Sequence, residues 1–450
     1  MLSRNPQLLG ALALLLASTQ SLAADAPWRL NNVLELPEGF SISGTHRARL
    51  ETIGNNVRLG TSKNDELLTF QTFLNTRYEK NGFSAQVELI DVRQTLADID
   101  SVIDSTAINT LDIQQANVGY RFGADNNSSV KIGRFSADYG SRRFVSRHRF
   151  GNAPNSFDGI EFQQRGESGY DLRILATQPV RRLPTARNEL LDNERESDKS
   201  SSGLRFYGAY LTLPEVAEKV SLDLFGFALR EKDTAKVATR NRNIDTVGFR
   251  LVRPPAVEAY NFEVESAYQN GRRHSGTSPF DVIALDHEAY YQYLMIGYSF
   301  DVPSRLRIMA EYSYASGDKT PFDRNSEAFD SLYGVTTFEF GPTGMYGLID
   351  RHNISSPGVR AIATITPGVE LMLSYQHYWL AEARDTLGRT GRRDEMGRTD
   401  SYMGQQLEAR VRWDLVPGNV RIETGGAVLH TENLVDEDTL YFYSAAIFTF

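Results

Sequence analysis

The sequence contains no cysteine, and beyond its first 26 residues it has no long apolar run. The first absence removes thiolate metal sites and disulfide frameworks, and it suits a chain exported through an oxidising compartment with nothing to mispair. The second excludes helical membrane spans, which need about 20 consecutive apolar residues. Phosphate-loop, zinc and haem patterns are also missing, so no cofactor and no metal are expected. The formal net charge of −9 predicts no nucleic-acid partner. Lysine is scarce: 48 basic residues divide into 8 Lys and 40 Arg. The two are equal as charges, but the planar arginine fork holds carboxylates bidentately. Genomic base composition is a second contributor to such a bias.

What is present begins with Arg4, an apolar run over 8–17, and small residues at Ser21 and Ala23. This is the layout of a secretory signal peptide, too short for a membrane span. Cleavage is expected after Ala23, with Ala24 as the alternative. Residues 1–23 are thus the signal, 24–38 a polar lead-in, and 39–450 the folded unit.

From residue 40 onward the chain alternates apolar and polar side chains. Phe40, Ile42, Ala48 and Leu50 oppose Ser41, Arg47, Arg49 and Glu51. That is the period of a strand with one apolar face. The pattern recurs about 18 times in segments of about ten residues. Around 204–210, Leu204, Phe206 and Tyr210 oppose Arg205 and Tyr207. Connections alternate between short ones, such as 80–82, 165–169 and 366–368, and long ones, such as 53–65, 94–112, 136–156 and 317–353. An even strand number with short turns on one side and long loops on the other is the signature of an outer-membrane barrel. Soluble sandwiches do not enforce it. The expected fold is therefore all-β: an antiparallel up-and-down transmembrane barrel of about 18 strands, with short periplasmic turns and long extracellular loops. A cleaved signal plus this pattern points to the outer membrane of a diderm bacterium. The last strand, LYFYSAAIFTF, closes on Phe450, the kind of end that barrel-assembly machinery reads.

Two blocks resemble the alginate-export family of outer-membrane barrels. One is GRFSADYGSRRFVSRHRFGNAPNSFDGIEF at 133–162, with its Asn155-Ser156-Phe157-Asp158-Gly159 re-entry. The other lies in the last third: Arg351-His352-Asn353-Ile354, YQHYWLAEARDTL at 375–387, and Gly404-Gln405-Gln406-Leu407. The resemblance implies an 18-stranded barrel with an arginine-rich pore for anionic polysaccharide. Gln406 departs from it, because the family commonly carries an acidic residue after Gly-Gln.

Charges on the lipid face would cost up to about 2–4 kcal/mol for Arg or Lys at mid-bilayer, so charged strand residues are expected to point inward. Pore candidates on the strands are Arg47, Arg49, Arg77, Arg121, Lys131 and Arg134, then Arg250, Arg307, Arg360, Arg410 and Arg412; Arg205 and Arg421 are also placed inward. The loop at 136–156 adds Arg142, Arg143, Arg147 and Arg149 beside His148. If it folds inward, the constriction is positive and selects anions. Many inward arginines are equally expected to be structural partners of inward glutamates. A hydrolase is the weaker alternative: Ser146, His148 and Asp158 can be drawn as a triad, but spacing is not geometry. Asp436-Glu437-Asp438 reads as solvated loop before it reads as a calcium site. The expected partners are outer-membrane lipid and an anionic polysaccharide or its oligomers, passing by diffusion. The alternative is a porin for small anionic or aromatic acids. No enzymatic activity is expected.

Overall fold

The computed structural model describes residues 26–450. The expected signal peptide, and residues 24 and 25 of the lead-in, lie outside the described residues. The rest of the lead-in carries a one-turn helix, α1 (Leu30–Val33).

Eighteen antiparallel strands form the wall. The first nine are β1 (Phe40–Gly54), β2 (Asp65–Lys80), β3 (Phe83–Thr95), β4 (Asn109–Phe122), β5 (Ser128–Phe135), β6 (Phe157–Arg165), β7 (Asp171–Arg181), β8 (Leu204–Ala217) and β9 (Val220–Glu231). The other nine are β10 (Asn243–Arg253), β11 (Ala259–Arg273), β12 (Leu285–Ser299), β13 (Arg307–Ala315), β14 (Ile354–Thr366), β15 (Val369–Trp379), β16 (Tyr402–Val416), β17 (Val420–Thr431) and β18 (Glu437–Thr449). Each strand pairs with the next, and β18 returns to β1 with Thr45 opposite Thr449 and Gly54 opposite Leu440, so the sheet has no free edge. Closure is what lets a sheet sit in lipid with every backbone donor satisfied. Two further two-residue strands, Lys199–Ser200 and Asn325–Ser326, belong to long loops.

Local chemistry sets the tight turns. Asn81 and Gly82 both have positive φ, at 51° and 81°, which is the two-residue hairpin geometry that matches strand twist. The outward face is apolar: Val247, Ile296 and Leu407 are more than half exposed in the isolated chain, as a lipid contact requires. Aromatic pairs ring the short-turn end, among them Phe40–Tyr78, Tyr120–Phe122, Tyr260–Tyr298 and Trp28–Phe448. Such girdles mark the membrane–water interface.

The core lies inside the barrel. Loops 136–156 and 316–353 turn into the lumen and pack on the inward faces of the middle strands. Phe144 sits among Phe225, Phe227, Tyr291 and Phe329, and Tyr333 packs edge-on against Phe157 and Phe206. This corrects the sidedness expected for β8. Phe206 and Tyr210 are buried inward, and Arg205 is exposed on the outer face. The inserted loops supply an apolar surface, so this sector of the lumen takes the bulky residues. Arg205, second in its strand, stands at the loop-side rim rather than at mid-bilayer.

Candidate functional site

Loop 136–156 enters the lumen through strained backbone. Gly140 has φ +48°, and a Cβ there would lie 1.8 Å from the Tyr210 hydroxyl, so only glycine fits. Arg142 and His148 follow at φ +67° and +60°. Asp138 organises the segment: it accepts from the Arg147 N–H at 2.8 Å, the Ser146 hydroxyl at 3.3 Å and the Arg149 guanidinium at 2.8 Å. Burial pushes the Asp138 carboxyl up, but the Arg147 N–H and the Arg149 charge outweigh it and hold it below the ordinary range.

Arg143 pins the loop to the wall. Its guanidinium pairs with Glu263 and, at 2.5 Å, with Glu265 of β11, and lies 3.7 Å from the Tyr293 ring centre. Arg351, fully buried, pairs with Glu339 and donates to the backbone carbonyls of Val335 at 3.0 Å and Arg143 at 2.7 Å. A parallel bridge joins Val145 to Tyr333. The two inserted loops are thereby one plug. Gln406 ties it to β16: it accepts from the Tyr346 hydroxyl and donates to the Phe340 carbonyl at 3.2 Å.

Beside the plug is a cavity of about 800 Å³. Its wall carries Arg47 and Arg49 of β1, Arg410 and Arg412 of β16, and Arg421 of β17; the plug adds Arg142, Arg147 and Arg149. These eight arginines face three acids, Glu88, Glu408 and Glu423, so the lining is strongly positive. Phe73, Phe150, Phe338 and Tyr443 supply aromatic surface. Arg47 and Arg49 both donate to Asn152 Oδ1 at 2.8 Å, and Arg49 pairs with Glu51. Arg147 meets Glu88 at 2.9 Å. Arg412 pairs with Glu423 at 2.6 Å and Arg410 with Glu370 at 3.5 Å. Arg142 has no carboxylate partner among the described residues and stands 4.3 Å over the Phe338 ring.

Of the expected pore residues, seven thus converge: Arg47, Arg49, Arg142, Arg147, Arg149, Arg410 and Arg412. Others point inward but are spent in wall pairs. Arg77 and Arg121 share Glu79 near the short-turn end, Lys131 meets Glu161 at 3.0 Å, and Arg250 bridges Asp223 and Glu263. Arg360 holds Glu311 at 3.2 Å, and Arg307 bonds to Asn261. Arg143 is an internal tie. Arg134 is a correction. In the β5–β6 register it sits opposite Asp158, on the face of Ile132 and Ile160, which is the lipid side. It pairs bidentately with Asp158 at 2.8 and 3.1 Å and reaches the Asp198 carbonyl of the loop above. A neutral pair at the rim explains how a charge sits on that face. The triad of Ser146, His148 and Asp158 is not assembled: the His148 ring meets Thr343 at 3.1 Å, and Asp158 belongs to Arg134 outside the wall. Asp438 pairs with His430 and Glu437 with Lys63.

Nothing in the sequence marks Glu339 or Arg389, and Arg351 enters only within the Arg351-His352-Asn353-Ile354 block of the family resemblance. Apolar residues amid polar loops, such as Phe144, Phe340 and Tyr346, are the available sign that these loops are buried.

A family model described as alginate export matches residues 39–436. No curated protein is significantly similar in sequence. Among solved structures, the outer-membrane protein OpdK of Pseudomonas aeruginosa superposes with a TM-score of 0.59 at 12% identity, covering 91% of this chain and 99% of its own. OpdO of the same organism gives 0.59 at 15% identity over 92% and 98%. A structure of OpdK with vanillate gives 0.60 at 11% identity over 91% and 99%.

Proposed function

The chain belongs to the alginate export family of outer-membrane barrels, and on that premise we propose that it is a channel passing carboxylate-bearing solutes by diffusion through the basic cavity. The observation that carries this is the lining: eight arginines against three glutamates, with aromatic rings between them. A positive, narrow, low-dielectric passage concentrates anions and rejects cations. Arginine forks match carboxylates in two parallel hydrogen bonds.

The first reading is an alginate-like polyuronate or its oligomers, whose regularly spaced carboxylates step between guanidinium groups. The second is a porin for small anionic or aromatic acids. It is favoured by the plug, which fills much of the lumen, and by the aromatic lining. OpdK, which shares the fold, has been crystallised with vanillate. In either case the leader is removed after Ala23, and β18 addresses the chain to the barrel-assembly machinery. The arginines act as binding groups rather than as catalysts.

Planar-bilayer conductance is the test. Anion preference with block by uronate oligomers supports the first reading. Block by small carboxylates with indifference to oligomers selects the second. Cation preference sinks both.

A further inference from the structure

A second, smaller cavity lies on the long-loop side of the plug, with a volume of about 100 Å³. Five long loops meet around it. They bring Arg58, Asp104, His148, Thr343 and Arg389 together from positions up to 331 residues apart. None of the barrel strands contributes a charged group to it.

The pairing is uneven. Arg58 and Arg389 face the same space and oppose one another. Arg58 is held by the carbonyls of Tyr346 and Gly347, both at 3.2 Å, rather than by a carboxylate, and its buried Nε has no hydrogen-bond partner among the described residues. Arg389 keeps one acid, Asp350, at 3.1 Å. The acid in the lining, Asp104, spends one oxygen on the N–H and hydroxyl of Thr106. Two acids, Asp104 and Asp350, stand near the two guanidinium groups, but Arg58 makes no direct carboxylate contact among the described residues, and a buried donor left unpaired, as its Nε is, costs about 1–3 kcal/mol that a bound carboxylate would relieve. The hollow has room for several waters or one carboxylate head, and not for a polymer segment.

Its floor is the roof of the larger cavity. Asn152 lines the small hollow and also accepts from Arg47 and Arg49, whose guanidinium groups line the large one. His148, beside it, closes against Thr343. The two basic spaces are thus in series, separated by the stretch 148–152.

We propose that the small cavity is a capture site for a single carboxylate on the extracellular side, from which a solute passes the 148–152 partition to the arginines below. The inference rests on the channel reading and adds a second station to it. Arg58 and Arg389 are its binding residues.

The experiment is planar-bilayer block by D-glucuronate added to each compartment in turn, comparing wild type with Arg389→Gln. Arg389 is more than half exposed and is held by the Asp350 contact, so the variant keeps the barrel. A drop of about fivefold in the block association rate from the loop side, with the rate from the turn side unchanged, is the expected result. Arg58→Lys should lower the loop-side rate in the same sense. Unchanged rates from both sides, or an equal drop from both, overturn the capture site while leaving the channel intact. A wild-type channel with no glucuronate block from either side and no anion preference overturns the channel reading itself.

Discussion

Arg143 of the inserted loop meets Glu265 of β11 at 2.5 Å, with side-chain exposures of 5% and 1%. The pair is out of reach of screening salt, and Glu263 and Glu339 lie against the same guanidinium. Removing the cation strands buried acids, which costs about 3–5 kcal/mol. Arg143→Met should therefore release the plug from the wall. The expected signature is a larger single-channel conductance together with faster tryptic cleavage between residues 142 and 149. A variant with wild-type conductance and cleavage would show that the apolar packing of Phe144 holds the plug unaided.

Ion selectivity should follow Arg142 and Arg149, which line the cavity; Arg149 gives up its half-buried Asp138 contact, but Asp138 keeps the Arg147 N–H and the Ser146 hydroxyl. The double change Arg142→Glu, Arg149→Glu reverses two charges while leaving Arg143 in place. Reversal potentials in a salt gradient should move toward cation preference. No movement would mean that ions take a path that bypasses this cavity.

Arg134 should be silent in the same measurement, because it lies outside the wall. Arg134→Gln breaks the bidentate contact to Asp158 and the bond to the Asp198 carbonyl. The expected outcome is an unchanged reversal potential with easier proteolysis of the loop over 182–203. A shift in selectivity would return Arg134 to the pore.

That loop should also respond to pH. Burial raises the Asp198 carboxyl to about 6, and Asp112 adds to the rise against the opposing Leu183 N–H. A raised carboxyl favours the protonated form in the folded loop. Its stabilising contribution is complete below the ordinary aspartate range, near pH 4, and is lost as pH climbs through about 6. Amide exchange at Leu190, whose N–H donates to the Ala186 carbonyl of the same loop, should be slower at pH 4.5 than at pH 7.5 once corrected for the intrinsic rate. Asp198→Asn should remove the difference, and its persistence in that variant would assign the effect to another group.

Strand positions were legible in the sequence because period-two alternation and turn residues are local signals. Phe40 to Glu51 took the faces that their pattern predicts. Sidedness failed at Leu204–Tyr210, where alternation says which residues share a face but not whether lipid or a plug covers it. The two inserted loops have no period at all. Their destination depends on contacts such as Arg143 to Glu263, made across 120 positions, and on Arg351 reaching back 208 positions to Arg143. Arginine abundance pointed to the cavity, but which arginines remain available is decided by these distant pairings. Lys131 and Arg250 show this: both point inward and both are consumed by neighbouring acids.

The plug divides the lumen into a packed part and an open part, and the open part is bounded on the wall side by β1 to β4 and β16 to β18. The bore is then set by the length and bulk of two loops, not by the number of staves. Lengthening or trimming 136–156 or 316–353 rescales what fits without disturbing a single ladder bond. One barrel can thus be refitted to solutes of different girth by changes confined to segments that cross no lipid.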